Sequence, residues 1–196
     1  MKRKTLDLIL TSGGAVLTIV LIAAGALLLW GSNFTNNEVH NQLARQEITF
    51  PTAKTMNTKH SENYISRSVQ APYAGQQVLT GAQAKAYAYK VQMDIYGLPF
   101  HGVYSKISAY AMTHPTTKKM AALVTVAFRG ITLQGLLLEA YSFSIFGSLA
   151  FDGALAAFCA AFLMLVLTGL GLWHTRRTPA TQEFPKAHSE VTTKAA

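Results

Sequence analysis

The chain has 196 residues, half of them apolar, and a formal net charge of +8. Its single cysteine, Cys159, excludes a disulfide framework within the chain. The apolar residues concentrate near the N-terminus and in the last third, and no basic block with interleaved aromatic residues is present. Membrane topology therefore explains the positive charge better than nucleic-acid binding does, and we expect no nucleic-acid partner.

The first apolar run, residues 8–30, carries no charged side chain and would be about 34 Å long as a helix, enough to cross a bilayer. A basic N-terminus, residues 1–7, precedes it, which also fits a signal peptide. Against that alternative, the apolar run exceeds the usual length of about 7–15 residues, and no small-residue cleavage site follows it. We therefore expect an uncleaved transmembrane helix.

The second apolar run, residues 147–173, ends at Trp173 and is followed by Arg176 and Arg177. Basic residues thus lie before the N-terminal end of the first run and after the C-terminal end of the second run. The positive-inside rule then places both termini in the cytoplasm and the central region on the far side of the inner (plasma) membrane. The last segment, residues 174–196, is expected to be a cytoplasmic tail without stable structure. The predicted fold class is an all-α membrane protein with two transmembrane helices and a helical extracytoplasmic domain between them.

The second run carries small residues at steps of three or four, which let helix backbones approach closely in lipid. We interpret them as a helix-packing seam: Gly147, Ala150, Ala154, Ala157 and Ala161. Counterparts in the first run are Gly14, Ala15, Thr18 and Ala23. Contact with another subunit, or no role beyond alanine's helix propensity, are the alternatives.

Residues 31–115 are expected to form an extracytoplasmic helical region. "NNEVHNQLARQ" continues the first helix for a short distance, and "TAKTMNTKHSEN" is typical of a loop. A clearer helix covers residues 79–97, with Thr80 as its N-cap and Gly97 ending it in the left-handed conformation. Another helix covers 103–112. The histidines and acids lack the spacing of a metal or catalytic site, so we expect no catalytic residues, no metal and no cofactor.

Residues 116–146 are expected to form a long outer helix leading into the membrane. Arg129 and Glu139 fall within one polar stripe of this helix and are too far apart to pair, so they are candidate polar contacts. Three placements remain open: the centre of the outer domain, wrapped by the helices 80–96 and 103–112; the membrane interface; or a third transmembrane crossing. The surplus apolar surface predicts a partner patch at Phe143, Phe146 and Phe151.

The stretch "FRGITLQGLLLEAYSF", with "YAGQQVLTGAQAKAYA" upstream, resembles a group of small actinobacterial two-span membrane proteins. The matching positions are Phe128, Arg129, Gly130, Thr132, Leu133, Gly135 and Tyr141. Gln134 departs from the arginine usual in that pattern. The resemblance implies a two-helix membrane architecture in a bacterial envelope, and it implies no particular chemistry.

These observations favour a non-catalytic accessory or assembly subunit of a larger inner-membrane complex, with the lipid bilayer and other membrane-protein subunits as partners. The alternative is an extracytoplasmic sensor or binding protein that holds a small molecule near Tyr87, Tyr110 and Arg129. An enzyme is the third hypothesis, and a cluster of histidines with an acid in the folded chain would favour it.

Overall fold

The computed structural model describes residues 3–58, 64–114 and 118–177. Within these ranges the helices are α1 (Arg3–Gln46), α2 (Ala53–Thr58), α3 (Tyr64–Gln70), α4 (Gly81–Tyr96), α5 (Tyr104–Thr113) and α6 (Lys118–Arg177). The expected helical class is confirmed, and α1 and α6 each contain a stretch long and apolar enough to cross a membrane. Of the predicted tail, residues 174–177 belong to α6, and residues 178–196 lie outside the described residues.

The chain divides into two compact units. Met1–Leu29 and Asp152–Ala196 form the two-helix unit, and Trp30–Phe151 form the central unit. The long helix α6 has 60 residues, about 90 Å, and no break at any of its glycines. The segments 116–146 and 147–173, treated separately in the sequence, are therefore parts of one helix over the described residues from Lys118.

The two-helix unit is held by close backbone approach between α1 and α6. A Cβ added at Gly14 would lie 2.6 Å from Oγ1 of Thr168, and one added at Gly25 would lie 3.0 Å from the ring of Phe158. Ala154 and Ala161 are almost fully buried. Small residues are thus required on both helices, as expected where packing rather than hydrophobicity drives association in lipid.

The most buried small residues of this unit recur every seventh position. They are Thr11, Thr18 and Gly25 on α1, and Ala154 and Ala161 on α6. A strict seven-residue repeat keeps one face of a helix against its neighbour when the pair supercoils with a left-handed twist. Of the counterparts predicted for the first run, Ala15 and Ala23 are wrong, because both are exposed.

The central unit has a small apolar core. It contains Val39 and Leu43 of α1, Leu137 of α6, and Phe50 and Val78 from the chain between α1 and α4. These side chains pack against the buried face of α4, which presents Ala84, Ala88, Val91 and Ile95. Phe50 contacts Tyr73 and Tyr87, with ring centroids 5.4 and 5.3 Å apart. This core joins elements distant in the sequence.

A short antiparallel bridge connects the end of α1 to the start of α4. Phe50 N–H donates to the carbonyl of Gln76, and Val78 N–H donates to that of Ile48, both at 2.8 Å. Helix α1 ends at Gln46, and Glu47 follows in the left-handed conformation with φ of 51°. The Gln77 side-chain amide donates to the carbonyl of Ala44 at 2.9 Å and satisfies one of the free carbonyls of that helix end.

Two local expectations for this unit are wrong. Residues 53–58, expected as loop, form α2. Gly97 ends α4 with φ of −69°, so it is not left-handed. The left-handed residues come later, at Phe100, His101 and Gly102. The reason is a kinked 3-10 turn over Pro99–Gly102 between α4 and α5, in which Gly102 lies against Ile95.

The N-cap of α4 gives a first testable prediction. The Thr80 hydroxyl accepts from Gln83 N–H at 3.3 Å, and the Gln83 side-chain oxygen accepts from the N–H groups of Leu79 and Thr80 at 2.8 and 3.1 Å. This reciprocal capping box stabilises a helix by about 1 kcal/mol. Thr80→Ala should lower the free energy of unfolding by that amount in denaturant melts followed by circular dichroism. Thr132→Ala, at an exposed position inside α6, should not lower it, because alanine has the higher helix propensity.

Candidate functional site

The part of α6 that belongs to the central unit carries the residues singled out in the sequence. Arg129 and Glu139 are both exposed, as are Lys118, Thr125 and Thr132 of the same polar stripe. The stripe is therefore a solvent-accessible face of the helix. The structure does not bring Arg129 to Glu139, since both lie on one unbroken helix ten residues apart, about 15 Å.

Helices α4 and α5 contact α6 on other faces. Gly81, the first residue of α4, lies so close to α6 that a Cβ there would overlap the side chain of Ser144. Further along, the Ile95 side chain rests on Gly130, where a Cβ would lie 2.8 Å from its Cδ1. From α5, Tyr104 contacts Phe128 with ring centroids 5.8 Å apart. These contacts hold the outer part of α6 within the central unit.

The three phenylalanines of the predicted partner patch are exposed. The exposed fractions of Phe143, Phe146 and Phe151 are 52, 66 and 51%. Further exposed apolar residues of the same helix were not assigned to a partner patch from the sequence, among them Val126, Phe128, Leu136 and Leu149. The sequence feature that indicates such exposed residues is the apolar composition around the full circumference of the helix, since two short helices cannot cover all of it. We refer to Phe143, Phe146 and Phe151 as the phenylalanine patch.

The seam predicted in the second run is divided between the two units. In the two-helix unit Ala154 and Ala161 are buried and Ala157 is half-buried. In the central unit Gly147 is buried, and a Cβ there would lie 2.9 Å from Oδ1 of Asn36 on α1, while Ala150 is half-buried. The residues at seven-residue steps are thus the most buried members of the stripe.

A groove between α1 and α6 in the central unit has a volume of about 450 Å³. We call it the acidic groove, because its walls carry Glu38 from α1 and Glu139 from α6. The remaining lining residues are Phe34, Thr35, Val39, Gln42, Leu43, Gln46, Ile48, Leu133, Leu136, Leu137, Ala140 and Phe143. The sequence reasoning missed this groove, because Glu38 and Glu139 are separated by 100 residues and no local pattern joins them.

A second, more open cavity lies between α3, α4 and α6. Its walls include Tyr73, Tyr89 and Tyr141, and the Lys85 ammonium donates to the Tyr141 hydroxyl at 3.2 Å. Neither cavity is lined by the residues expected around a sensor's ligand, which are Tyr87, Tyr110 and Arg129. Tyr87 packs on Phe50, Tyr110 stacks on His114 with centroids 4.2 Å apart, and Arg129 is exposed on α6.

Within residues 3–58, 64–114 and 118–177, no three side chains of His, Cys, Asp or Glu come close enough together to hold a metal ion. His101 stacks on Tyr96 and His114 on Tyr110, with ring centroids 4.6 and 4.2 Å apart. Both imidazoles are therefore placed by aromatic contacts at the surface of the central unit.

Comparison with protein-family models, with curated proteins and with solved structures gives no match. The described part of the chain has these features that bear on function: two helices able to cross a membrane, an exposed apolar face on α6, and the acidic groove.

Proposed function

We propose that this chain is a non-catalytic accessory or assembly subunit of a larger bacterial inner-membrane complex. The two-helix unit anchors it in the bilayer, both termini lie in the cytoplasm, and the central unit stands on the extracytoplasmic side. The flanking charges support this orientation, because Arg176 and Arg177 follow the second apolar run and Lys2–Lys4 precede the first. Arg177 also lies over the Trp173 ring at 4.4 Å, a pairing suited to a membrane interface.

The observation that carries the proposal is the phenylalanine patch. Three phenylalanines are more than half exposed on one helix: Phe143 and Phe146 precede the second apolar run and form a surface that water solvates poorly, and Phe151 lies within that run. Aromatic side chains are enriched in the buried centres of protein interfaces. A second membrane subunit that covers α6 there would remove this surface from water and would explain why so little of α6 is covered within the chain.

Site-specific photo-crosslinking in native membranes tests the proposal. A photoreactive phenylalanine analogue at Phe146 should give one dominant crosslinked product, whose second polypeptide mass spectrometry identifies. The same analogue at Tyr96, which is 56% exposed on α4 outside the patch, serves as the matched control and should give little product. Equal, heterogeneous crosslinking from both positions would remove the basis for a specific partner at the patch.

A further inference from the structure

We propose that the acidic groove binds an organic cation with an apolar body. This inference is distinct from the proposed assembly role, because it concerns a different kind of partner and a groove that shares only Phe143 with the phenylalanine patch. It rests on the shape of the groove, on the charge of its walls and on how one of its carboxylates is held.

The charge of the groove is opposite to that of the chain. The chain has 17 lysine and arginine residues against nine acids. Both ionisable residues among those lining the groove are nevertheless glutamates, Glu38 and Glu139, one on each wall. A cation between them would be attracted by two carboxylates, and an anion of the same shape would be repelled by both.

The walls also hold one carboxylate in place. The Gln42 side-chain amide donates to Oε1 of Glu38 at 2.8 Å, one helical turn away. This hydrogen bond restrains the Glu38 side chain on the groove side of α1 and leaves its second oxygen available as an acceptor. A pre-positioned carboxylate loses less conformational entropy when a cation binds.

The rest of the lining is suited to an apolar body. Val39, Leu43 and Leu137 are buried there, and the side chains of Phe34, Leu133 and Phe143 complete the walls. The volume of about 450 Å³ lies in the range of small-molecule sites, about 300–1,000 Å³. The occupant is therefore a small amphiphilic cation such as a hydrophobic ammonium compound.

Two ions of equal shape and opposite charge test the inference. Tetraphenylphosphonium and tetraphenylborate would be titrated by calorimetry into the full chain in nanodiscs of zwitterionic lipid, with empty nanodiscs subtracted. We expect saturable binding of the phosphonium at one site and none of the borate. Saturable binding of both ions with similar affinity, or no saturable binding of the phosphonium, would overturn the proposal.

Variants then locate the site. Glu38→Gln and Glu139→Gln should each weaken phosphonium binding about fivefold, the upper range for a partly exposed ion pair, and the double variant more than tenfold. Glu47→Gln removes one charge from an exposed glutamate outside the groove and should leave affinity unchanged. Wild-type affinity in the double variant would contradict the assignment.

A second pair of variants tests whether binding requires the space inside the acidic groove, with both glutamates unchanged. Leu136→Trp adds bulk to a lining position that is 60% exposed and keeps both glutamates, so it should weaken phosphonium binding more than about tenfold by filling the groove. Leu149→Trp makes the same change at a 61% exposed position outside the groove and should have no effect. If both leucine variants bind like the wild type, the cation binds elsewhere.

Discussion

Replacing Phe143 and Phe146 together by alanine is expected to weaken association with the proposed partner subunit by about 1,000-fold. Both side chains are more than half exposed within the chain, so their truncation removes little intrachain packing. Buried aromatic residues at the centre of an interface commonly contribute about 2 kcal/mol or more each when truncated. Alanine also favours helix, so α6 should remain intact. Affinity purification of the tagged chain from membranes, with the partner quantified by mass spectrometry, measures the effect.

The control for this experiment is Met112→Ala. This side chain is 78% exposed on α5, so exposed apolar surface is removed elsewhere on the central unit. We expect the partner to be retained in full. A loss of partner in the control comparable to that in the patch variant would mean that association does not depend on the phenylalanine patch. Phe146→Ala alone, at a position outside the acidic groove, separates partner binding from any change in the groove.

Gly81→Ala is expected to destabilise the central unit by about 2–3 kcal/mol. A Cβ at this position would overlap Cβ of Ser144 and approach Cα of Tyr141 to 3.4 Å, and neither atom can move without shifting the α6 backbone. Overpacking of this kind typically costs about 1–3 kcal/mol. Helix α4 must therefore separate from α6, which weakens the contacts of Ile95 as well. Chemical denaturation of the detergent-solubilised chain, followed by tyrosine fluorescence, measures the loss.

Gly135→Ala is the matched control, with the opposite expected sign. Gly135 lies within α6, and no atom comes within 4 Å of where its Cβ would be. The same chemical change there should stabilise the helix by up to about 1 kcal/mol, because alanine has the higher helix propensity. Equal effects of the two substitutions would show that Gly81 is not a point of close contact between α4 and α6.

The local structure of the central unit follows from short-range chemistry. Thr80 is the N-cap of α4, as the sequence predicts, and the structure adds Gln83 as its partner in a capping box. The left-handed turn at Phe100, His101 and Gly102 had no such signal, because two of its three positive-φ residues are not glycine. It is held by contacts with the last residues of α4, with Gly102 against Ile95 and His101 stacked on Tyr96 at 4.6 Å.

The sequence predicts the phenylalanine patch of the candidate site but not the acidic groove. The exposed phenylalanines follow from composition, since α6 is apolar over more of its circumference than its neighbours can cover. The seven-residue repeat of Thr11, Thr18 and Gly25 is present in the sequence, but its depth of burial depends on which helix lies opposite. The acidic groove depends entirely on the pairing of α1 with α6, which no local rule fixes over 100 intervening residues.

The native mass of the particle that contains this chain tests the central claim most directly. The tagged protein would be extracted with its surrounding lipid by a styrene–maleic acid copolymer and weighed by native mass spectrometry after release. A subunit of a larger assembly should appear with at least one other polypeptide in fixed stoichiometry, at a mass well above the 21.2 kDa of the chain. A single species of the isolated 21.2 kDa chain, recovered without any companion polypeptide, would contradict the account.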